Sequence, residues 1–443
     1  RERGQILGHY LVAHAGRKPW DIQTKAASET ARGIRLWKNF SYGVSWGSHE
    51  GGPAWRSHTW YNHPETWRAN AEVVREIGGA EDLLVEAKAA PAKVAILYSS
   101  ATDAWTVKRN HAYGFNRMHT WMALAHAQIP VDFVGEVQAE RGFLDGYQVC
   151  YFSGPNLRRD AAEKLSKWVK NGGTLVLSAG AAMGDEFNRP LTEFQEMLPV
   201  DRAAAEEHQV FLNSGSYVHI LKSAGLVEMN GAEMEILSVS QEQKAKPGSG
   251  SEILAESKEG DGIVMSGVVG KGRVYSYGFL PALSYIKGAV DARRALQSVK
   301  DELAADEQGD NPAPALDLSG KEAVVKSAES KLERSYNPWE YSKNVREVIL
   351  KPVRDANVEV PLTCSVPLVD AVVLEAETGL VIPLANYTLE ALDKAEFTLR
   401  VSRPVKSIES VHLGELPFSE EEGGTVSFSL PLDASDYVKV YYQ

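Results

Sequence analysis

The sequence is poor in the features that announce a metal, a membrane or a nucleic-acid partner. Only two cysteines occur in 443 residues, Cys150 and Cys364, each inside a strand-like run. A zinc site needs more ligands at closer spacing, so both read as buried free thiols. No apolar run approaches the ~20 residues that a membrane span requires. Basic residues are outnumbered, 47 Lys and Arg against 59 Asp and Glu, for a net charge of -12. Without a basic stripe to neutralise phosphates, nucleic acid is excluded as a partner. No cofactor is expected either. Gly270-Lys271-Gly272 lacks the spacing of a P-loop and has strands on both sides, which makes it a hairpin turn. The first residues, Arg1–Gln5, lack an initiator Met, a basic n-region and an apolar h-region, and they run straight into a strand at Ile6. The chain therefore reads as a piece of something longer, with no localisation legible. Its length corresponds to roughly three domains at about 150 residues each.

What is present is organised around residues 93–181. Lys93–Tyr98 is a short β-branched run of the kind found in strands buried on both faces. Tyr113–Gln128 carries Phe115, Met118, Met122 and Ala125 at helical spacing, which predicts an amphipathic helix. Strands follow at Val131–Val134 and Val149–Phe152. Arg158–Lys170 is a second amphipathic helix with Leu165, Trp168 and Val169 on one side. Gly172-Gly173 stops it, and the next strand begins at Thr174. Strands alternating with helices at this spacing predict a parallel sheet covered by helices.

Ahead of this lie two β-α units. The strands are Ile6–Val12 and Leu36–Val44, the second interrupted by Lys38 and Asn39. The helices are Asp21–Ile34, with Asp21 as N-cap, and Pro64–Val85. In α/β barrels the chemistry sits on the loops that follow the strands, here 13–20 and 45–63. The second of these holds Trp46, Trp55, Trp60 and Tyr61 beside His49, Glu50, Arg56, His58 and His63. Flat aromatic faces with interspersed hydrogen-bonding groups suit a sugar ring, which has apolar CH faces and a polar rim. A long loop packed by its own aromatics has the same composition. The three histidines match no zinc spacing. The first loop offers His14, Arg17, Lys18, Trp20 and Asp21, a rim equally consistent with surface packing.

Beyond the central region, residues 186–234 read as a subdomain decorating the sheet, with a short helix at Tyr217–Leu226. Residues 246–250 form a flexible turn, and Ile263–Val269 pairs with Arg273–Phe279 as a hairpin. Arg293–Asp306 is a charged helix, Gly309–Gly320 a linker, and Pro338–Val353 an amphipathic helix. After Asn357 short strands recur: Glu359–Cys364, Ala371–Ala376, Val381–Tyr387, Glu396–Val401, Ser410–Leu413, Val426–Leu430 and Tyr437–Tyr442. That rhythm predicts a small β-sandwich, serving as a structural cap or binding carbohydrate.

Two barrel units, an aromatic loop with a Glu, then Ala90-Pro-Ala-Lys-Val-Ala-Ile-Leu-Tyr98 and an open α/β domain resemble the second half of family 42 glycoside hydrolases. Supporting stretches are Ala101-Thr-Asp-Ala-Trp105, Phe152-Ser-Gly-Pro-Asn-Leu157, Gly270-Lys-Gly-Arg-Val-Tyr-Ser-Tyr-Gly-Phe279 and Gly379-Leu-Val-Ile-Pro-Leu-Ala-Asn-Tyr387. The family comprises β-galactosidases. The resemblance implies an α/β fold class with the last two β-α units of a (β/α)8-type barrel (1–90), an amidotransferase-like trimerisation domain (91–308), a linker and helix (309–356) and a C-terminal β-sandwich (357–443). It also implies a galactoside-like carbohydrate partner and a homo-oligomer such as a trimer. Glu50 matches the family's substrate-binding Glu, and Trp46, His49, Trp55, His14 and Arg17 are the further substrate-binding residues expected. The catalytic pair is another matter. The family's nucleophilic Glu ends the seventh strand, and that position falls near Ala13-His14, with no acidic residue between Glu2 and Asp21. The Trp of the eighth strand falls near Tyr42, and the acid/base Glu lies upstream. Retaining hydrolysis needs two carboxyl groups about 5–5.5 Å apart, so the nucleophile is missing, displaced or replaced. The amidotransferase resemblance stops at the elbow, where Ala179-Gly-Ala-Ala182 replaces the nucleophilic Cys.

Overall fold

The computed structural model describes residues 7–12, 19–40, 64–106, 112–208, 211–213, 218–220, 223–256, 262–288, 341–421 and 423–443. It is a mixed α/β protein with several sheets. At the N-terminus, strand β1 (Leu7–Val12) pairs in parallel with β2 (Ile34–Phe40), and helix α1 (Pro19–Ala31) connects them. Pro19 opens α1, two residues ahead of the expected cap, because its fixed φ suits the first helical position. Asp21 lies instead in the first turn, where its charge favours the helix dipole. Lys38 and Asn39 do not interrupt β2, and residues 41–44 lie outside the described residues. The single helix expected over 64–85 divides into α2 (Pro64–Gly79) and α3 (Glu81–Leu84) at Ala80. A side chain at Gly79 would come within 2.6 Å of Val411, so the chain turns where it meets the C-terminal region.

The central sheet has seven strands. Those of the first half are β4 (Val94–Tyr98), β5 (Val131–Gly135), β6 (Val149–Phe152) and β7 (Thr174–Leu177). Across the sheet the order is β5, β4, β6, β7, then Gly272–Tyr277, Gly262–Val269 and Glu252–Glu256. The first five run parallel, Gly262–Val269 runs against them, and Glu252–Glu256 pairs antiparallel with Gly262–Val269. Helix α7 (Arg159–Lys170) covers one face with Leu165, Trp168 and Val169, as its pattern predicts. Lys170 is followed by a close stop, since a Cβ at Gly173 would sit 2.4 Å from the Trp168 ring. The Gly270-Lys271 turn abuts the same helix end: a Cβ at Gly272 would lie 2.1 Å from the Val169 carbonyl. These glycines serve packing and not phosphate binding.

Three expectations need correction. Helix α5 (Ala112–Ala125) forms, but it buries Tyr113, Asn116, His119, Thr120, Ala123 and Leu124. Met118, expected inside, is 45% exposed. The polar residues can face inward because each is satisfied: Asn116 Nδ2 donates to Ser153 Oγ (3.1 Å), its Oδ1 accepts from Ala282 N (3.0 Å), and Thr120 Oγ1 donates to Asn116 O (2.7 Å). No helix occurs among the described residues of the expected 217–226 span. Val218–Ile220 and Ser223–Met229 are strands, the latter paired with Ala232–Leu237. Asn230 and Gly231 both take positive φ (52° and 74°) between them, and Asn-Gly is the strongest short hairpin signal. Finally, the strand expected at Ser410–Leu413 ends at Ser410 (Val405–Ser410), where the Ser410 hydroxyl accepts from the backbone of His412 and Leu413 and turns the chain. Gly414–Leu416 and Phe418–Glu421 are additional short strands.

The C-terminal strands form a four-stranded antiparallel sheet and six strands of a seven-stranded one, and the two share one apolar core, with Phe397 stacked on Phe428. Gly379–Asn386, in the larger sheet, is buried along its whole length. Its inner face joins that core. Its outer face packs against Ala27, Leu83 and Leu84 of the N-terminal helices. Lys88–Ala89 (β3) adds to the same sheet by pairing with Leu374–Glu375. Among the other later elements, Lys343–Asp355 is a helix capped by Ser342, starting later than the expected Pro338. Residues 289–340, with the expected 293–306 helix and 309–320 linker, lie outside the described residues.

Candidate functional site

The register of β1 and β2 determines where the two unusual loops begin. Val12 pairs with Phe40, so the chain leaves both parallel strands at the same, carboxyl end. His14 and Arg17, and Trp46, His49, Glu50 and Trp55, belong to segments 13–18 and 41–63 and lie outside the described residues. Trp20 is described, and it faces elsewhere: its indole N–H donates to the Asn386 carbonyl at 2.7 Å. It anchors α1 to the C-terminal sheet.

The helices that carry these strand ends are fastened along their backs. Arg32 makes two hydrogen bonds to Asp370, at 2.6 and 3.0 Å, and Ser28 donates to the same carboxylate at 2.6 Å. Burial alone would raise the Asp370 carboxyl, but the Arg32 charge and these hydrogen bonds outweigh it and hold it below the usual range. The Arg32 guanidinium also lies 4.9 Å from the centre of the Trp121 ring on α5. On α2 the buried Glu76 carboxylate accepts from Ser435 Oγ (2.7 Å) and meets His412 Nε2 (2.9 Å). Sequence reading missed this set, because nothing local marks Asp370, Ser435 or His412 as partners of residues more than 300 positions away. A groove of about 1010 Å³ is bordered by Leu7, Arg32, Met118, Trp121, Phe133 and Asp370. It lies near Leu7, at the opposite end of β1 from the loop exits.

In open α/β sheets ligands bind outside the carboxyl ends of the strands, where the strand order reverses. Here that point lies between β4 and β6, and the protein fills it with its own groups. Buried Glu136 accepts from Ser99 Oγ (2.8 Å), Ser100 N (3.0 Å) and Arg158 N (2.8 Å). An internal carboxylate thus takes the backbone donors that an anionic ligand would use. The neighbouring elbow after β7 is equally closed. Gly180 takes φ +70°, and a Cβ there would lie 2.5 Å from Tyr113 Oη. Arg202 donates to the carbonyls of Ala181 (2.7 Å) and Ser178 (2.9 Å). Burial brings that guanidinium down to about 10. Cys150 is buried mid-strand in β6, away from the elbow, and burial pushes its thiol up to about 12, which disfavours the thiolate. Among the described residues no group of three His, Cys, Asp or Glu side chains is placed to hold a metal ion.

No family model and no curated protein matches the sequence. Solved structures do. A family 42 β-galactosidase from G. stearothermophilus superposes with a TM-score of 0.64 at 14% identity, over 98% of this chain and 54% of that one. The β-galactosidase of Bacillus circulans sp. alkalophilus gives 0.62 at 12% identity, over 98% and 55%. An α-L-fucosidase from Paenibacillus thiaminolyticus gives 0.56 at 14% identity, over 96% and 58%. The chain spans about half the length of these structures, and at identities this low the likeness is one of fold alone. That fold is the one of the C-terminal half of the family 42 β-galactosidases.

Proposed function

We propose that the chain is the C-terminal part of a glycoside hydrolase related to β-galactosidases, contributing one wall of a sugar pocket and an oligomerisation domain. On this reading 1–90 supplies the last two units of a (β/α)8-type barrel, 91–308 an amidotransferase-like domain without amidase chemistry, and 357–443 a β-sandwich. The observation that carries it is the pairing of Val12 with Phe40, which starts both loops from one end of a parallel strand pair. Barrel enzymes build their sites at that end. Glu50 then accepts hydrogen bonds from sugar hydroxyls while Trp46 or Trp55 stacks on a ring face, with His14, Arg17 and His49 at the rim. A second reading, a carbohydrate-binding or assembly protein that lost its catalytic carboxylates, is favoured by the lack of any acid between Glu2 and Asp21.

The test is a galactose titration of the protein carrying its upstream barrel units, followed by tryptophan fluorescence. A lost charged hydrogen bond costs about 1.5–3 kcal/mol, so Glu50→Gln weakens binding about ten- to a hundredfold. Unchanged affinity removes the loop from the site. The acid and the nucleophile are decided separately, by the presence of two carboxylates near the pocket in that longer protein.

A further inference from the structure

Two large aromatic side chains lie exposed on the central domain. Phe187 is 65% exposed and Trp105 50% exposed. They are not scattered residues, because they flank one peptide unit: the Trp105 indole N–H donates to the Glu186 carbonyl at 3.1 Å, the group bonded to the nitrogen of Phe187. The loop that presents Phe187 is built rigidly. Buried Asp185 accepts from the backbone N–H of Phe187 (2.9 Å) and of Arg189 (2.8 Å), and from the Arg159 guanidinium (2.7 Å). The Asp185 N–H returns to the Arg189 carbonyl at 2.7 Å. Asn188 takes a positive φ of 59° and its side chain accepts from Asn156 at 3.0 Å. The Arg189 guanidinium lies 5.4 Å from the Phe187 ring centre.

The geometry points to a saccharide-binding platform formed by Trp105 and Phe187, with Arg189, Glu186 and Asn188 as its polar rim. A ring costs free energy to expose, and a loop this fully hydrogen-bonded holds the ring in place before any ligand arrives, which reduces the ordering cost of binding. The exposed part of two aromatic side chains amounts to roughly 200 Å², far below the ~800 Å² per partner of a stable protein interface. A small ligand fits that area. Charges of both signs at the rim, Arg189 and Glu186, disfavour an ionic ligand and suit neutral hydroxyl groups, while the ring faces suit sugar CH groups. The choice of a sugar rests on the glycosidase reading, but the platform residues belong to other segments of the chain than 13–18 and 41–63, which that reading uses.

Affinity electrophoresis of the full chain through native gels containing soluble β-galactan tests it. The chain is retarded, and Trp105→Ala or Phe187→Ala each weakens retention about three- to tenfold, as expected for one lost ring stack. Phe187→Tyr keeps it. Trp105→Ala weakens retention by the same factor in a Glu50→Gln background, which separates the platform from the proposed pocket. No retardation of the unmodified chain, retardation of both alanine variants equal to that of the unmodified chain, or no further loss from Trp105→Ala in the Glu50→Gln background overturns the platform. So does sedimentation velocity in which Trp105→Ala dissociates an oligomer, because the rings then serve a second copy of the chain.

Discussion

Arg32 and Asp370, 338 positions apart, form a two-pronged ion pair that fastens the first helix of the chain to the C-terminal sheet. Asp370 is nearly buried, with 12% of its side chain exposed. Removing Arg32 leaves the carboxylate with the Ser28 hydrogen bond but without its countercharge, a loss that costs about 3 kcal/mol at the lower end of such cases. Arg32→Ala therefore lowers the midpoint of urea unfolding by that equivalent, and Arg32→Lys, which cannot reproduce the fork, recovers only part of it. A midpoint within ~0.5 kcal/mol of the unmodified protein means the pair contributes no more than a surface contact.

The contact between Glu76 and His412 makes the same junction sensitive to pH. The hydrogen bond to Glu76 raises the imidazole above its ordinary value, against the opposing effect of burial. A raised folded-state pKa stabilises fully below the unfolded value of about 6.5 and is lost as pH rises through the folded value. Thermal stability accordingly declines on the alkaline side of pH 6.5, modestly because the imidazole is partly exposed, and His412→Gln flattens the decline. An unchanged slope in the variant assigns the dependence to another group.

Cys150 is inert in the folded protein. A thiol-reactive dye labels Cys364, which is half-buried, ahead of Cys150, which is buried in the sheet. Cys150 reacts only after denaturant is added. Mass mapping of the labelled peptides after a short exposure distinguishes the two, and early modification at Cys150 contradicts its placement.

Gly272→Ala strikes backbone atoms that cannot move aside, the carbonyls of Val169 (2.1 Å) and Gly173 (2.3 Å). Overpacking of this kind costs about 1–3 kcal/mol or more. Lys271→Ala, in the same turn, leaves stability within ~0.5 kcal/mol. Paired denaturation curves of the two variants check the packing role assigned to the turn.

The chain by itself hydrolyses no aryl galactoside, because on the proposed reading it carries two of the eight units that a barrel site needs. Turnover by the purified chain that follows its concentration refutes that assignment.

Much of the secondary structure was legible because it is written locally. The Val94–Tyr98 run, the Leu165, Trp168 and Val169 stripe and the Gly270 turn each state their own periodicity or backbone requirement. The α5 face was misread because the pattern ranks Met118 above Asn116. Burial instead followed hydrogen-bond partners supplied by Ser153 and Ala282, which no local pattern contains. The Asn230-Gly231 pair, a local hairpin signal, marks the turn between the two strands that replace the expected helix. Of the candidate site, the aromatic loop was visible as composition alone, whereas the common exit of the two loops follows from strand pairing. The junction of Arg32, Glu76 and Trp20 with the C-terminal sheet, and the sealing of the sheet's crevice by Glu136, belong wholly to the tertiary structure. Each depends on charges and donors brought together from distant segments, and sequence spacing carries no information about which distant groups will meet.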